Sequence, residues 1–320
     1  MVCLLYFNFC KLQQRYNMIA PPHLQKGDKI GIVAPAGKIS REDLRPALDR
    51  LHAWGLEIEM GANLMKEYHQ FSGTDEERKA DLQSMLNNPT INAILCARGG
   101  YGSMRIIDQL DFNEFCKKPK WIIGYSDITV LHSHIHKNFG IQTLHAVMPI
   151  HFTQNEEALE SLRKALFYGE FNYAIEPCPL NKPGEAQGLL VGGNLSLLYA
   201  LNASSSDIDT EGKILFLEDL AEQFYHLDRM MVSMKRSGKL KNLEGLIVGG
   251  LTDMKDSTTP FGKTSEEIIL DAVSTYSYPV CFRFPSGHLN KNLALAFGRQ
   301  ARLSVSENSI SLNYVETNPA

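Results

Sequence analysis

Ser126 stands in the stretch Trp121 to His136, WIIGYSDITVLHSHIH, where an apolar run gives way to helix-compatible spacing. Trp121, Ile122 and Ile123 read as a short strand closed by Gly124. From Asp127 onward, Ile128, Val130 and Leu131 recur at intervals that one helix face buries. A strand-to-helix elbow exposes a serine hydroxyl at its turn, and the amides at the helix start can receive a developing negative charge. The elbow pattern is G-x-S-x-G. Here Gly124-Tyr125-Ser126-Asp127-Ile128 lacks the last glycine, and a Ser-Asp pair at a helix start serves equally as an N-cap, so the window leaves both roles open. A serine nucleophile needs a base, and the base an orienting acid. Glu218 ends the apolar run ILFL and His288 lies in the turn PSGH, which gives the chain order Ser, Glu, His. Taken singly, each has a plainer role: a solvated carboxylate at a strand end, and a turn residue.

A different chemistry is suggested by His132-Ser133-His134-Ile135-His136, which puts His132 and His136 at i and i+4 on one helix face, as zinc sites do. No glutamate stands between them as in H-E-x-x-H, and no carboxylate completes a ligand set. Core histidines are the expectation, with no metal and no cofactor.

The elements that must carry these groups alternate regularly. Lys29 to Ala34 (KIGIVA) reads as a buried strand ended by Pro35 and Gly37. Ser40 and Asp43 then open a helix through Leu44, Ala47, Leu48, Leu51 and Trp54. Leu56 to Met60 is a second strand, and Thr74 with Glu77 caps a helix burying Leu82, Met85 and Leu86. Ile91 to Ala97 is a third strand that runs into Arg98-Gly99-Gly100-Tyr101-Gly102, and the Ser126 strand is the fourth. Such alternation predicts a parallel sheet with helices on both faces and ligands beyond the carboxyl ends of its strands, where Arg98 and Ser126 both fall. Residues 18–153 form this domain, 154–183 read as a linker, and 184–315 form a second domain. In that domain Leu189-Leu190-Val191 leads to Gly192-Gly193-Asn194, and Ile214 to Leu217 leads to Glu218-Asp219. Leu227, Met230, Met231 and Met234 share a helix face that reads as core.

The whole chain has 320 residues, 44% hydrophobic and 21% charged, with a net charge of −4, which suits two globular domains and excludes a basic nucleic-acid binder. Six cysteines without a C-x-x-C pair fit reduced thiols in a cytoplasmic protein, and no run is long enough to span a membrane. The apolar N-terminus lacks a basic n-region and a cleavage site, so residues 1–17 are expected to be an extension outside the fold, not an export signal.

Six motifs, GIVAPAG, CARGGYGSMRIIDQLD, IIGYSDITVLH, GLLVGGNLSLL, ILFLEDLAEQFYHLDRMM and FPSGH, occur in an order that resembles the LD-carboxypeptidase family of serine peptidases. That family includes muramoyl-tetrapeptide carboxypeptidases and microcin-immunity peptidases, and the resemblance runs from Leu24 to about Leu312. It implies an α/β architecture: a flavodoxin-like N-terminal domain and a smaller mixed α/β C-terminal domain. It also implies nucleophile Ser126, base His288, orienting Glu218, a murein tetrapeptide substrate and a homodimer. The amides of Gly100 and Asp127 are the expected oxyanion donors, since Gly99-Gly100 lets backbone approach a reacting carbonyl. Arg98, Tyr101 and Asn194 are expected to bind substrate, Arg98 by pairing with its carboxylate. The stretch 202–213 has no aromatic to stack on a nucleobase, which favours the cell-wall peptide over a nucleotide conjugate.

Overall fold

Short strands buried almost throughout need cover on both faces, and the first half of the chain supplies four of them beside a more exposed strand at Glu57–Met60. β1 (Lys29–Val33), β2 (Glu57–Met60), β3 (Ile91–Cys96), β4 (Trp121–Gly124) and β5 (Thr143–His145) pair in parallel in the order β2-β1-β3-β4-β5, the flavodoxin-like order. The structure is a computed structural model and describes residues 18–315; the extension expected over 1–17 lies outside the described residues. Between the strands run α1 (Arg41–Ala53), α2 (Asp75–Asn87), α3 (Ser103–Ile106), α4 (Asn113–Lys117) and α5 (Thr129–Phe139). Ser40 Oγ accepts the Asp43 amide at 3.0 Å to start α1, and Thr74 and Glu77 close a capping box on α2.

The stretch 154–183 is more than a connection. It holds α6 (Glu156–Tyr168), which buries Leu159, Leu162, Ala165 and Leu166 in the core of the first sheet, and β6 (Tyr173–Ile175). Next come β7 (Gly184–Asn194), α7 (Leu195–Ala200), β8 (Lys213–Leu220), α8 (Phe224–Arg236), β9 (Gly245–Thr252) and α9 (Ser265–Val273). β10 (Val280–Cys281), β11 (Leu295–Phe297), β12 (Gln300–Val305) and β13 (Ile310–Tyr314) complete the described chain. The second sheet has the order β10-β9-β8-β7-β12-β13-β6, parallel over its first four strands and antiparallel over the rest. Leu227, Met230, Met231 and Met234 are buried in its core, as their spacing predicts.

Two features lock the sheets together. β11, although late in the sequence, joins the first sheet antiparallel to β5, with Leu295 opposite His145 and Phe297 opposite Thr143. β7 meets the start of α5, where the Asn194 amide donates to Thr129 Oγ1 at 3.0 Å. Gly193 lies so close that an added Cβ would sit 2.5 Å from Thr129 Oγ1. A single apolar cluster consequently runs from Ile123 and Leu144 through Phe297 and Phe216 to Phe284 and Leu303. Cys96, Cys116, Cys178 and Cys281 are free thiols. Among the described residues no helix is long and apolar enough to cross a membrane.

Candidate active site

β4 ends at Gly124, Tyr125 stays extended, and Ser126 then adopts φ 62° before a 3-10 turn over Ser126–Ile128 runs into α5. A left-handed backbone at a residue other than glycine costs on the order of 1–3 kcal/mol, which surrounding structure must hold in place. Two close approaches define this turn. A Cβ on Gly124 would sit 2.8 Å from Ile128 Cγ1, and a Cβ on Gly99 would sit 2.9 Å from Ser126 Cβ and 3.0 Å from its Oγ. The Gly99 backbone therefore lies directly against the hydroxyl.

Asp127 connects the two loops that flank Ser126. Its buried carboxylate accepts the Ser103 amide at 2.8 Å. Burial raises its pKa more than the bonds from Ser103 and Gly102 and the charge of Arg78 lower it. Arg78 is buried behind the 99–103 loop, donates to the Pro35 carbonyl at 2.5 Å and pairs with Asp75. The residue whose amide opens the Ser126 turn thus pins, through its side chain, the loop that carries Gly100. Among the described residues the Gly100 amide makes no backbone hydrogen bond, and the first amides of a helical turn have no carbonyl within it to bond.

The second sheet supplies the acid and base. Glu218, fully buried near the end of β8, places Oε2 2.6 Å from His288 Nδ1 and 3.1 Å from the His288 amide. Gly287 makes this approach possible: at φ +100°, its Cβ would sit 2.7 Å from Glu218 Cγ and Oε2. Burial alone would lower the His288 pKa, but the charge and hydrogen bond of Glu218, with the charge of Asp219, raise it above the ordinary histidine value. Tyr125, the residue before Ser126, brings its ring within 4.9 Å of the His288 imidazole centroid, at 63° to it. Among the described residues no hydrogen bond is closed between hydroxyl and imidazole; such bonds are often long without substrate and tighten in the complex.

The residues expected to bind substrate fall differently. Arg98 is exposed beside the site and donates to the Lys38 carbonyl at 3.1 Å; Tyr101 is 46% exposed, its ring 6.0 Å from that of Phe71. Asn194 is buried and turned inward. Its carbonyl accepts from Ser196 Oγ at 2.6 Å and caps α7 through the Leu197 amide, while its amide donates to Asp219 Oδ1 at 2.9 Å. These bonds commit the Asn194 side chain to Ser196, Leu197 and Asp219. Asp219 itself, pushed up to about 7 by burial and the charge of Glu218, went unnoticed in the sequence although it directly follows Glu218.

The histidines of α5 are each committed to a neighbour. His132 Nε2 lies 2.9 Å from the Gly124 carbonyl, His134 Nδ1 2.8 Å from Ser206 Oγ, and His136 Nε2 3.0 Å from Thr143 Oγ1. Among the described residues no group of three or more His, Cys, Asp or Glu is placed to hold a metal ion. The same helix corrects the role given to 202–213. Ser133 donates to the Ser206 carbonyl at 2.5 Å and Asn138 to that of Ser205 at 3.0 Å. The stretch therefore docks two to three turns beyond Ser126, and its lack of aromatics says nothing about what stacks over the nucleophile.

A flavodoxin-like parallel sheet with a serine turn at its carboxyl edge, and a second mixed sheet that holds an imidazole-carboxylate pair, define a two-domain α/β protein. Residues 30–146 match the LD-carboxypeptidase N-terminal domain, and residues 187–303 match the LD-carboxypeptidase C-terminal domain. The chain belongs to the LD-carboxypeptidase family. It is 36% identical over 293 residues to a probable murein peptide carboxypeptidase of Bacillus subtilis, covering 90% of this chain and 92% of that one. The crystal structure of a muramoyltetrapeptide carboxypeptidase from Oxalobacter formigenes is 27% identical, with a TM-score of 0.83 over 91% of this chain and 100% of that one. The microcin C7 self immunity protein MccF shares the fold at 22% identity, with a TM-score of 0.81 over 92% and 98% of the two chains.

Proposed function

We propose that the chain is a serine-type LD-carboxypeptidase that releases terminal D-alanine from murein tetrapeptides. The observation that carries this is the pairing of a left-handed Ser126, pressed against Gly99, with a buried Glu218–His288 dyad that lies against Tyr125. Murein-peptide relatives on both sequence and structure support the substrate. Ser126 Oγ attacks the carbonyl that precedes D-alanine while His288 Nε2 takes its proton and Glu218 holds Nδ1–H. The amides of Asp127 and Gly100 receive the oxyanion. His288 then protonates the departing amine, and a water activated by the same imidazole frees Ser126. This division of labour places the nucleophile in 18–153 and the dyad in 184–315, with 154–183 between them. Free thiols fit a cytoplasmic enzyme that recycles wall fragments, and we assign it as a homodimer.

The test is to incubate the purified protein with free tetrapeptide, its terminal L-alanine isomer and the pentapeptide, and to identify released amino acids by mass. D-alanine should leave the tetrapeptide, and L-alanine should leave the isomer at least about 100-fold more slowly because the carbonyl is displaced. None should leave the pentapeptide. Equal rates on tetrapeptide and pentapeptide would refute the assignment. Cleavage of an aminoacyl-nucleotide conjugate alone would move the chain to the immunity branch.

A further inference from the structure

His151 is hydrogen-bonded to Tyr125, the residue before Ser126, and has no part in the mechanism above. It ends a 3-10 turn, Pro149–His151, in which the Ile150 amide donates to the Ala97 carbonyl at 3.2 Å, so the turn is tied to the residue before Arg98. His151 Nδ1 lies 2.8 Å from the hydroxyl of Tyr125, the residue that precedes Ser126 and whose ring rests against His288. Burial, with the charges of His288 and Arg98, lowers the pKa of His151, which favours the neutral ring.

The tautomer follows from the phenol. Burial and the charge of Glu218 push the Tyr125 hydroxyl above the ordinary phenol range, so it keeps its proton. Among the described residues that proton has no acceptor other than His151 Nδ1. With Nδ1 accepting, the neutral imidazole carries its own proton on Nε2, at the far side of the ring from Tyr125, and the half-exposed ring presents it as a donor.

We propose that His151 Nε2–H and the Arg98 guanidinium together receive the free α-carboxylate of the residue that is cleaved off. This rests on the carboxypeptidase assignment and adds to it the group that recognises a chain end. In a C-terminal residue the carboxyl carbon lies only about 2.5 Å from the scissile nitrogen, so its receptor must adjoin the nucleophile. Arg98 is the cation next in sequence to Gly99, where an added Cβ would sit 3.0 Å from Ser126 Oγ, and its exposed side chain lies with Nη1 3.1 Å from the Lys38 carbonyl. His151 sits on the turn tied to Ala97, the residue before Arg98, and is held by the tyrosine whose ring lies against His288. A neutral donor beside a guanidinium gives the carboxylate a second, charge-assisted bond while adding no net charge to a site that already holds Arg98 and His288.

Binding separates this proposal from the reaction. The Ser126→Ala protein is titrated calorimetrically with a murein tetrapeptide as the free acid and as its C-terminal amide, alone and combined with His151→Phe or His151→Gln. The free acid should bind at least about 30-fold tighter than the amide. His151→Phe should weaken the acid by about 10-fold and leave the amide unchanged. His151→Gln, which keeps an N–H donor, should recover most of the loss and shows that a folded pocket is being measured. Equal binding of acid and amide, a preference that survives His151→Phe, or no binding of the acid overturns the proposal. Acid-selective, His151-dependent binding by a protein whose wild type releases no D-alanine leaves the subsite standing and removes the proposed reaction instead.

Discussion

At Ser126 and its neighbours, single atoms decide the chemistry. A methyl on Gly99 would meet Ser126 at 2.9 to 3.0 Å, with Met148 Cε next at 3.4 Å. Gly99→Ala should therefore lower kcat/KM by about 100-fold or more through a misplaced hydroxyl, with a urea midpoint close to wild type. An active Gly99→Ala enzyme would mean that Ser126 attacks from another side. Glu218 is what raises the His288 pKa against burial. With Glu218→Gln that support goes and burial prevails. The acid limb of the residual kcat/KM profile should then move from above pH 6.5 to below it, while the plateau falls by several orders of magnitude. A limb that stays in place would show that some other group sets the imidazole's pKa. Ser126, Glu218 and His288 were legible because each ends an apolar strand or opens a Gly-containing turn. Tyr125, Asp219 and His151 were not, since each acquires its role from a partner that only folding brings near.

At the scale of elements, the site depends on how β7 seats against α5. Gly193 has φ +140°, and a Cβ there would press on Thr129 Oγ1 and Cγ2 at 2.5 and 2.7 Å. Gly193→Ala should destabilise the fold by about 2–4 kcal/mol and weaken turnover by separating the nucleophile from the dyad. Thr129→Ser removes the methyl but keeps the acceptor for Asn194, so the double variant should recover part of both losses in a double-mutant cycle. Strict additivity would place the strain elsewhere. The sequence shows these elements unevenly. Capping boxes and apolar runs of four or more residues mark the parallel strands and long helices. β6, β11 and α7, with three to six residues each, offer too little periodicity, and nothing local tells β11 that its partner is β5.

Across the whole molecule, histidines buried without charge set the response to acid. Burial lowers the pKa of His132 to about 4, and burial with neighbouring cations holds His136 and His145 well below 6.5. In the unfolded chain all three titrate near 6.5, so below that pH the unfolded state binds more protons and folding stability falls. Each buried histidine contributes up to about 1.4 kcal/mol per pH unit until its folded pKa is reached. Urea midpoints should accordingly drop steeply between pH 6.5 and 4.5, and His132→Phe should flatten the slope. A midpoint that is constant over this range would contradict the burial of these rings. The run HSHIH suggested either ligands or core in sequence, and only the sheet packed over α5 decides between them.

Phe297 closes a sheet whose other strands are finished by His145, and this sets a timetable for synthesis. At roughly 5–20 residues per second, the ribosome needs on the order of 10–30 s to make the intervening chain, and through that interval β5 presents an open edge. A nascent chain holding Ser126 but not yet Glu218, His288 and β11 has neither a complete first sheet nor a base. On the proposed mechanism hydrolytic competence would arrive only near the end of translation, and a chain broken off early would carry an unpaired β5 edge in place of activity.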